Sequence, residues 1–357
     1  MSALHLTGPL LVGPDEVVPE AFVVGGRLTL TRPTQGEVTT LAGWVVPGLV
    51  DAHCHVGLDE HGAVDRETSE AQARTDRDAG ALLLRDAGSP ADTRWVDDRA
   101  DLPVIVRAGR HIARPKRYIR NFAEEVEPDG LVAEVRRQAG RGDGWVKLVG
   151  DWIDRATGDL APCWPADVLA EAVAAAHEAG ARVTAHVFGE DALPDLLAAG
   201  TDGVEHATGL TPDLLAGFAA QQVAVVPTLV NIATFPGIAA SGEAKFPQYA
   251  AHMRDLHARR YDTVRAAYEA GVPLYAGTDA GGSLAHGLVV DEVLELARAG
   301  LPPVAALDAA CWGARAWLRR DGLVEGAQAD LLVLPGDPRE DLSVLRAPQV
   351  VLRGQRV

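Results

Sequence analysis

Hydrophobic positions along this chain fall into two textures. Over residues 4–46 the apolar runs are short and broken by Gly and Pro. His5-Leu6-Thr7, Ala21-Phe22-Val23-Val24 and Trp44-Val45-Val46 predict strands, and Gly25-Gly26 stands where a hairpin turn would fall. Residues 330–334 and 350–354 repeat this texture, so the two ends of the chain predict one small sheet. Between them, apolar runs of strand length alternate with Ala-rich stretches. The runs are 49–53, 81–85, 103–108, 145–149, 182–187, 203–206, 223–229 and 272–277, eight in all. Residues 165–179 and 249–270 predict helices between some of these strands. Ala179-Gly180, Ala199-Gly200, Ala270-Gly271 and Ala299-Gly300 supply helix stops. Continuous apolar strands separated by helices predict a parallel sheet covered on both faces, and eight such units suit a closed (β/α)8 TIM barrel. The expected division is a barrel unit over 48–320, flanked by β-rich segments 1–47 and 321–357.

Composition changes this picture little. The chain has 357 residues, of which 47% are hydrophobic and 23% charged, as in an ordinary soluble globular protein. A net charge of -17 without an extended basic tract argues against nucleic acid as a partner. No apolar run is long enough to span a membrane, and the first residues lack the basic-then-apolar order of a signal peptide. Cys54, Cys163 and Cys311 have no paired spacing, which predicts reduced thiols and a cytoplasmic setting. Neither a Cys-x-x-Cys pair nor a Gly-Lys-Ser/Thr phosphate loop occurs.

The chemistry concentrates at the C-terminal ends of the expected strands, where barrel enzymes carry their sites. In Pro47-Gly48-Leu49-Val50-Asp51-Ala52-His53-Cys54-His55, the two histidines are two apart and share one face of a strand. Two imidazoles side by side are half of a metal site. His186 ends strand five, His206 strand six and Asp279 strand eight. Lys147 lies inside Trp145-Val146-Lys147-Leu148-Val149, and the chain has only two other lysines, Lys116 and Lys245. Burial of its ammonium lowers its pKa. A neutral amine can add carbon dioxide and become an anionic carbamate with two oxygens. Arginine stays protonated and cannot do this. The competing reading of Lys147 is a buried ammonium paired with Asp151 or Asp279.

This set, together with Glu205-His206, Gly277-Thr278-Asp279-Ala280-Gly281 and the tail Gly322-Leu323-Val324-Glu325-Gly326-Ala327-Gln328-Ala329-Asp330-Leu331-Leu332-Val333, resembles the amidohydrolase superfamily. Within it, the chain is most similar to the imidazolonepropionase-like and Xaa-Pro dipeptidase (prolidase)-like branch. The resemblance implies a distorted barrel with a small β-sandwich formed by both termini, and hydrolysis of an amide or related bond. It implies zinc, with His53, His55 and Asp279 holding one ion, His186 and His206 a second, and carboxylated Lys147 bridging the two. Asp279 would take a proton from the attacking water and pass it to the leaving nitrogen. The catalytic set is thus Asp279, Lys147 and His206. A deaminase or cyclic amide/lactone hydrolase with one ion is the alternative enzyme, and a non-catalytic binding scaffold is the alternative outside enzymes.

Substrate contacts are less defined. The segment after strand three, Arg110-His111-Ile112-Ala113-Arg114-Pro115-Lys116-Arg117-Tyr118-Ile119-Arg120, is basic and holds no acid. Arg114, Arg117 and Tyr118 could receive a carboxylate-bearing small molecule there; the competing reading is a solvated loop balanced by Glu124 and Glu125. His286 follows strand eight and could also reach substrate. His61, His177, His252 and His257 are expected at the surface. Gly281-Gly282-Ser283-Leu284-Ala285 lacks the last glycine of a nucleophile elbow. A homo-oligomer is compatible with everything in the sequence.

Overall fold

The computed structural model describes residues 3–34 and 36–357. Seven of the expected parallel strands form. The first (Leu49–Cys54), second (Ala81–Asp86) and third (Val104–Arg107) pair in parallel in one sheet. The fourth (Trp145–Val149), fifth (Arg182–Val187), sixth (Gly203–His206) and seventh (Ala224–Val226) pair in parallel in another. Every residue of the first, second and fourth strands is buried, which is why they read as continuous apolar runs rather than as alternation. Helices Arg66–Asp78, Leu131–Ala139, Ala166–Glu178, Leu193–Ala199, Pro212–Gln221, Pro247–Glu269 and Val289–Arg298 lie between or after the strands. Asp65 caps the first of these, accepting from the Thr68 amide at 2.8 Å.

The eighth expected strand, 272–277, does not form a regular ladder. Pro273 has no N–H to offer, and Asp279 turns into the left-handed region at φ 60°. The segment instead bonds to a strand on each side. The Val225 amide donates to Pro273 O (2.8 Å), and the Tyr275 amide donates to Val225 O (3.0 Å). On the other side Ala52 donates to Ala276 O (2.8 Å), Asp279 donates to His53 O (2.7 Å) and His55 donates to Ala280 O (2.8 Å). The stretch carrying Asp279 is therefore bonded directly to the strand carrying His53 and His55. This approach needs a glycine: a Cβ on Gly277 would lie 2.4 Å from Val226 Cγ1 and 2.7 Å from the His53 amide nitrogen.

Both chain ends meet in one eight-stranded sheet. It contains Ala3–Leu11, Val17–Val24, Arg27–Thr29, Val38–Ala42, Trp44–Pro47, Leu331–Leu334, Gln349–Leu352 and Gln355–Arg356. Gly25 and Gly26, at φ 58° and 80°, make the tight turn between the second and third of these strands, where two consecutive positive φ values are needed. Trp44–Pro47 pairs antiparallel with Leu331–Leu334, and the Gly48 amide donates to Asp330 O at 2.9 Å. The chain then runs from Gly48 into the strand that ends in His53, so the terminal sheet anchors the start of the site. Among the described residues, no helix is long and apolar enough to cross a membrane.

Filling the space beside Gly277 should be costly. Gly277→Ala is expected to lower the free energy of unfolding by about 1–3 kcal/mol through overpacking against Val226 and His53. Urea titration checks this, and an unchanged midpoint would contradict the close approach.

Candidate metal centre

Four histidines and one aspartate converge where the strands end. His53 Nε2 lies 3.1 Å from His55 Nε2, and Asp279 Oδ1 lies 3.0 Å from the first and 2.9 Å from the second. One nitrogen each of His53 and His206 and one oxygen of Asp279 fall within 4.8 Å of one another. His186 Nδ1 faces His206 Nε2 at 3.0 Å. Lys147 is 1% exposed and makes no ion pair with Asp151 or Asp279 among the described residues.

Four of these five donors are held from behind. His55 Nδ1 meets Gly88 O at 2.7 Å, and His206 Nδ1 meets Thr228 Oγ1 at 2.7 Å. His53 Nδ1 meets Glu205 Oε2 at 2.8 Å, and Asn231 donates to Asp279 Oδ2 at 2.7 Å. Such outer contacts set ring orientation and tautomer, leaving the inner atom free to donate. His206, Thr228 and Asp279 take φ of 68°, 49° and 60°, a region disfavoured for side chains with a Cβ, and Thr228 is β-branched as well. The strained turns aim these three side chains inward.

Electrostatics favour a cation. Burial pushes His55 and His186 below the ordinary imidazole range and His206 down to about 3, so these three rings are neutral, the state that donates a lone pair. Burial also pushes the Lys147 amine down to about 8. Burial works to raise Asp279, but the His53 and His55 rings outweigh it and hold the carboxyl well below its usual range. Asp279 has no Arg or Lys ion partner among the described residues. Three donor atoms about 3 Å apart, one of them anionic, match the spacing of ligands that each lie about 2 Å from a common ion. The His186 Nε2 atom is buried with no hydrogen-bond partner. The residues present therefore fit a divalent metal.

Other expected contacts fall elsewhere. Arg117 braces the hairpin of Asp151–Asp154 and Asp159–Pro162, bonding Asp154 Oδ2 (3.1 Å), Trp152 O (3.1 Å) and Ala161 O (2.9 Å). Arg114 points toward Glu127 at 3.7 Å, and Arg110 pairs with Glu124 at 3.1 Å. Three arginines of the basic segment thus face acids, and neither Arg114 nor Arg117 lines the cavity beside the metal donors. His286 does not line it either; its Nδ1 lies 2.7 Å from Asp76 on helix Arg66–Asp78. Tyr118 does line it, with its ring 5.4 Å from that of His186. His111, from the same basic segment, is fully buried with its ring 4.9 Å from that of His55 and both nitrogens unpartnered.

Several contributors escaped sequence reasoning. Arg85 is fully buried, donates to Ala52 O at 2.7 Å and pairs with Glu205. A single charge inside the apolar run 81–85 was the available signal. Burial works to raise Glu205, but Arg85, His53 and Lys147 together hold it well below its usual range. Glu292 is buried and accepts from the Leu229 and Val230 amides, both at 2.9 Å, clamping the turn between Thr228 and Asn231. Nothing in its helical sequence context marks this role. His252 is not a free surface residue: it lies between Asp159 (3.0 Å) and Glu190 (2.9 Å).

The chain belongs to the amidohydrolase family, whose profile matches residues 44–356. It is 58% identical over 355 residues to an uncharacterized protein of Mycobacterium tuberculosis, covering 99% of this chain and 95% of that protein. Among solved structures, it shares its fold with a Xaa-Pro dipeptidase with methionine bound in the active site. That likeness has a TM-score of 0.82 at 23% identity and covers 100% of this chain and 99% of the other. It also shares its fold with Aspergillus niger ochratoxinase, with a TM-score of 0.79 at 20% identity over 99% and 95% of the two chains. The structural neighbours are thus prolidase-like and other members of the amidohydrolase superfamily.

Asn231→Ala and Glu292→Ala should each weaken affinity for a divalent metal about 10–100-fold. Titration against a competing chelator measures this, and wild-type affinity in both would remove them from the site's support. His252 gives a pH dependence. Its hydrogen bond to Glu190, with a second to Asp159, outweighs burial and raises it from 6.5 to about 9. A folded-state pKa above the unfolded value means the stabilisation is fully present below about pH 6.5 and lost as pH rises through about 9. The difference in Tm between wild type and His252→Gln should therefore shrink between about pH 6 and 10; a constant difference would contradict the clasp.

Proposed function

We propose that this protein is a metal-dependent hydrolase of carbon–nitrogen bonds in small amides of the dipeptide or N-acyl amino acid type. The observation that carries this reading is the convergence of His53 Nε2, His55 Nε2 and Asp279 Oδ1 within 3.1 Å of one another. The adjoining His186–His206 pair and the buried Lys147 extend the donor set. His53, His55 and Asp279 would hold one zinc ion, His186 and His206 a second, and carboxylated Lys147 would be shared between them. Zinc bound there supplies Lewis acidity toward a carbonyl and acidifies water. The Asp279 carboxylate, which lines the cavity, accepts a proton from water and returns it to the leaving nitrogen. Asn231, bonded to Oδ2, keeps that carboxylate oriented while the proton is transferred.

The same reading covers the rest of the molecule. The two parallel sheets are arcs of a distorted (β/α)8 barrel over 48–320, and segments 1–47 and 321–357 form a small β-sandwich. The setting is cytoplasmic, the partner is a small molecule rather than nucleic acid or membrane, and self-association is compatible with the fold.

Metal analysis tests the centre directly. Protein purified without chelator should carry near two equivalents of zinc per chain, and His55→Ala should lose metal and activity while remaining folded. Near one equivalent would favour the mononuclear alternative. Lys147→Ala should lose one metal and most activity, and formate or acetate should restore part of both by supplying a short carboxylate. Lys147→Arg should not respond, because its side chain fills the space and stays charged. Full metal and full activity in Lys147→Ala would exclude the carbamate.

A further inference from the structure

A cavity of about 580 Å³ opens beside His55, His186 and Asp279. This is an ordinary size for a small-molecule site. Its wall is apolar and largely aromatic, with Trp152, Ile153, Phe188, Ile238, Phe246 and Tyr249 prominent in it. Such a wall gains free energy by covering a bulky apolar group and offers little to a short polar dipeptide. Among the described residues that line the cavity, Lys245 carries the one permanent positive charge. It is exposed and makes no ion pair among the described residues. The acid two positions away, Glu243, is taken by both terminal nitrogens of Arg254, at 3.0 and 2.7 Å. The Lys245 ammonium lies 5.1 Å from the ring centroid of Phe246, which holds it beside the cavity wall.

We propose that Lys245 receives the carboxylate of an amide substrate whose other part is a bulky aromatic or branched apolar group. The proposal rests on the hydrolase reading and specifies its substrate. Arg110 and Arg117 of the segment after the third strand are excluded from this role because Glu124 and Asp154 occupy them, and neither Arg114 nor Arg120 lines the cavity. In a chain of net charge -17 whose cavity is also lined by the Glu60 and Asp279 carboxylates, the Lys245 ammonium is the lining group that attracts a carboxylate.

The test uses zinc-loaded full-length enzyme with N-benzoyl-phenylalanine and its neutral carboxamide, following benzoate release. Wild type should favour the acid. Lys245→Gln should raise KM for the acid about fivefold, leave kcat in place and change the carboxamide less than about twofold. Lys245→Arg should keep the preference. A preference that survives Lys245→Gln, or equal losses on both substrates, would overturn the proposal. If metal-loaded wild type releases benzoate from neither, the hydrolase reading fails, and calorimetry then decides on Lys245 alone. Tighter binding of 4-phenylbutyrate than of 4-phenylbutanamide, abolished in Lys245→Gln, supports the anion site. Equal binding of the two to wild type rejects it.

Discussion

The buried Glu205 carboxylate ties the centre together. It receives Arg85 from the second strand, Thr184 from the fifth and His53 from the first, and all four side chains are buried. Arg85 is itself lodged beside the rings of Trp145 and Trp317, 4.7 and 4.8 Å from their centroids. An ion pair without water is stabilising only when its remaining hydrogen-bonding atoms are satisfied. The main-chain carbonyl of Ala52 and the hydroxyl of Thr184 do part of this, while Arg85 Nη1 has no hydrogen-bond partner among the described residues. The arrangement joins strands from both parallel sheets and orients His53, whose Nε2 lies 3.1 Å from His55 Nε2 and 3.0 Å from Asp279 Oδ1.

Around this pair the centre is built in tiers. The inner atoms are the imidazole nitrogens of His55, His186 and His206, driven neutral by burial, that of His53, which Glu205 and Asp279 raise against burial, and one carboxylate kept ionised by the surrounding rings. Behind them stand Gly88 O, Thr228, Asn231 and Glu205, and behind the Thr228–Asn231 turn stands Glu292. Three residues in left-handed conformations take part, and the hydrogen bonds they make offset their backbone strain. Rigidity here contrasts with the cavity mouth, where Lys245 and Glu60 are exposed. Recognition can therefore vary at the mouth without disturbing the donors beneath it.

The basic segment after the third strand shows how charge misleads when read along the chain. Five Lys and Arg residues without an acid between them look like an anion site. In three dimensions Arg117 serves the 151–162 hairpin, Arg110 serves Glu124, and His111 is buried against His55. His286 likewise serves Asp76. Local composition says nothing of partners supplied by distant strands and helices, and those partners already occupy Arg110, Arg117 and His286.

The sequence by itself determined the order of strands and helices, because burial on both faces requires continuous apolar runs of strand length. It also determined the donor candidates, because period-two alternation places His53 and His55 together, and the ends of successive parallel strands fall on one side of a sheet. Only the tertiary structure decided that 272–277 bonds to two strands without becoming a regular one, through Pro273 and the turn at Asp279. Only it decided that Arg85, Glu205, Asn231 and Glu292 support the donors, and which of the basic side chains are already neutralised. Those outcomes depend on contacts between residues up to 227 positions apart, as in the Asp51–Thr278 hydrogen bond. Strand periodicity is a local property of the chain; the pairing of buried charges is a property of the packed interior.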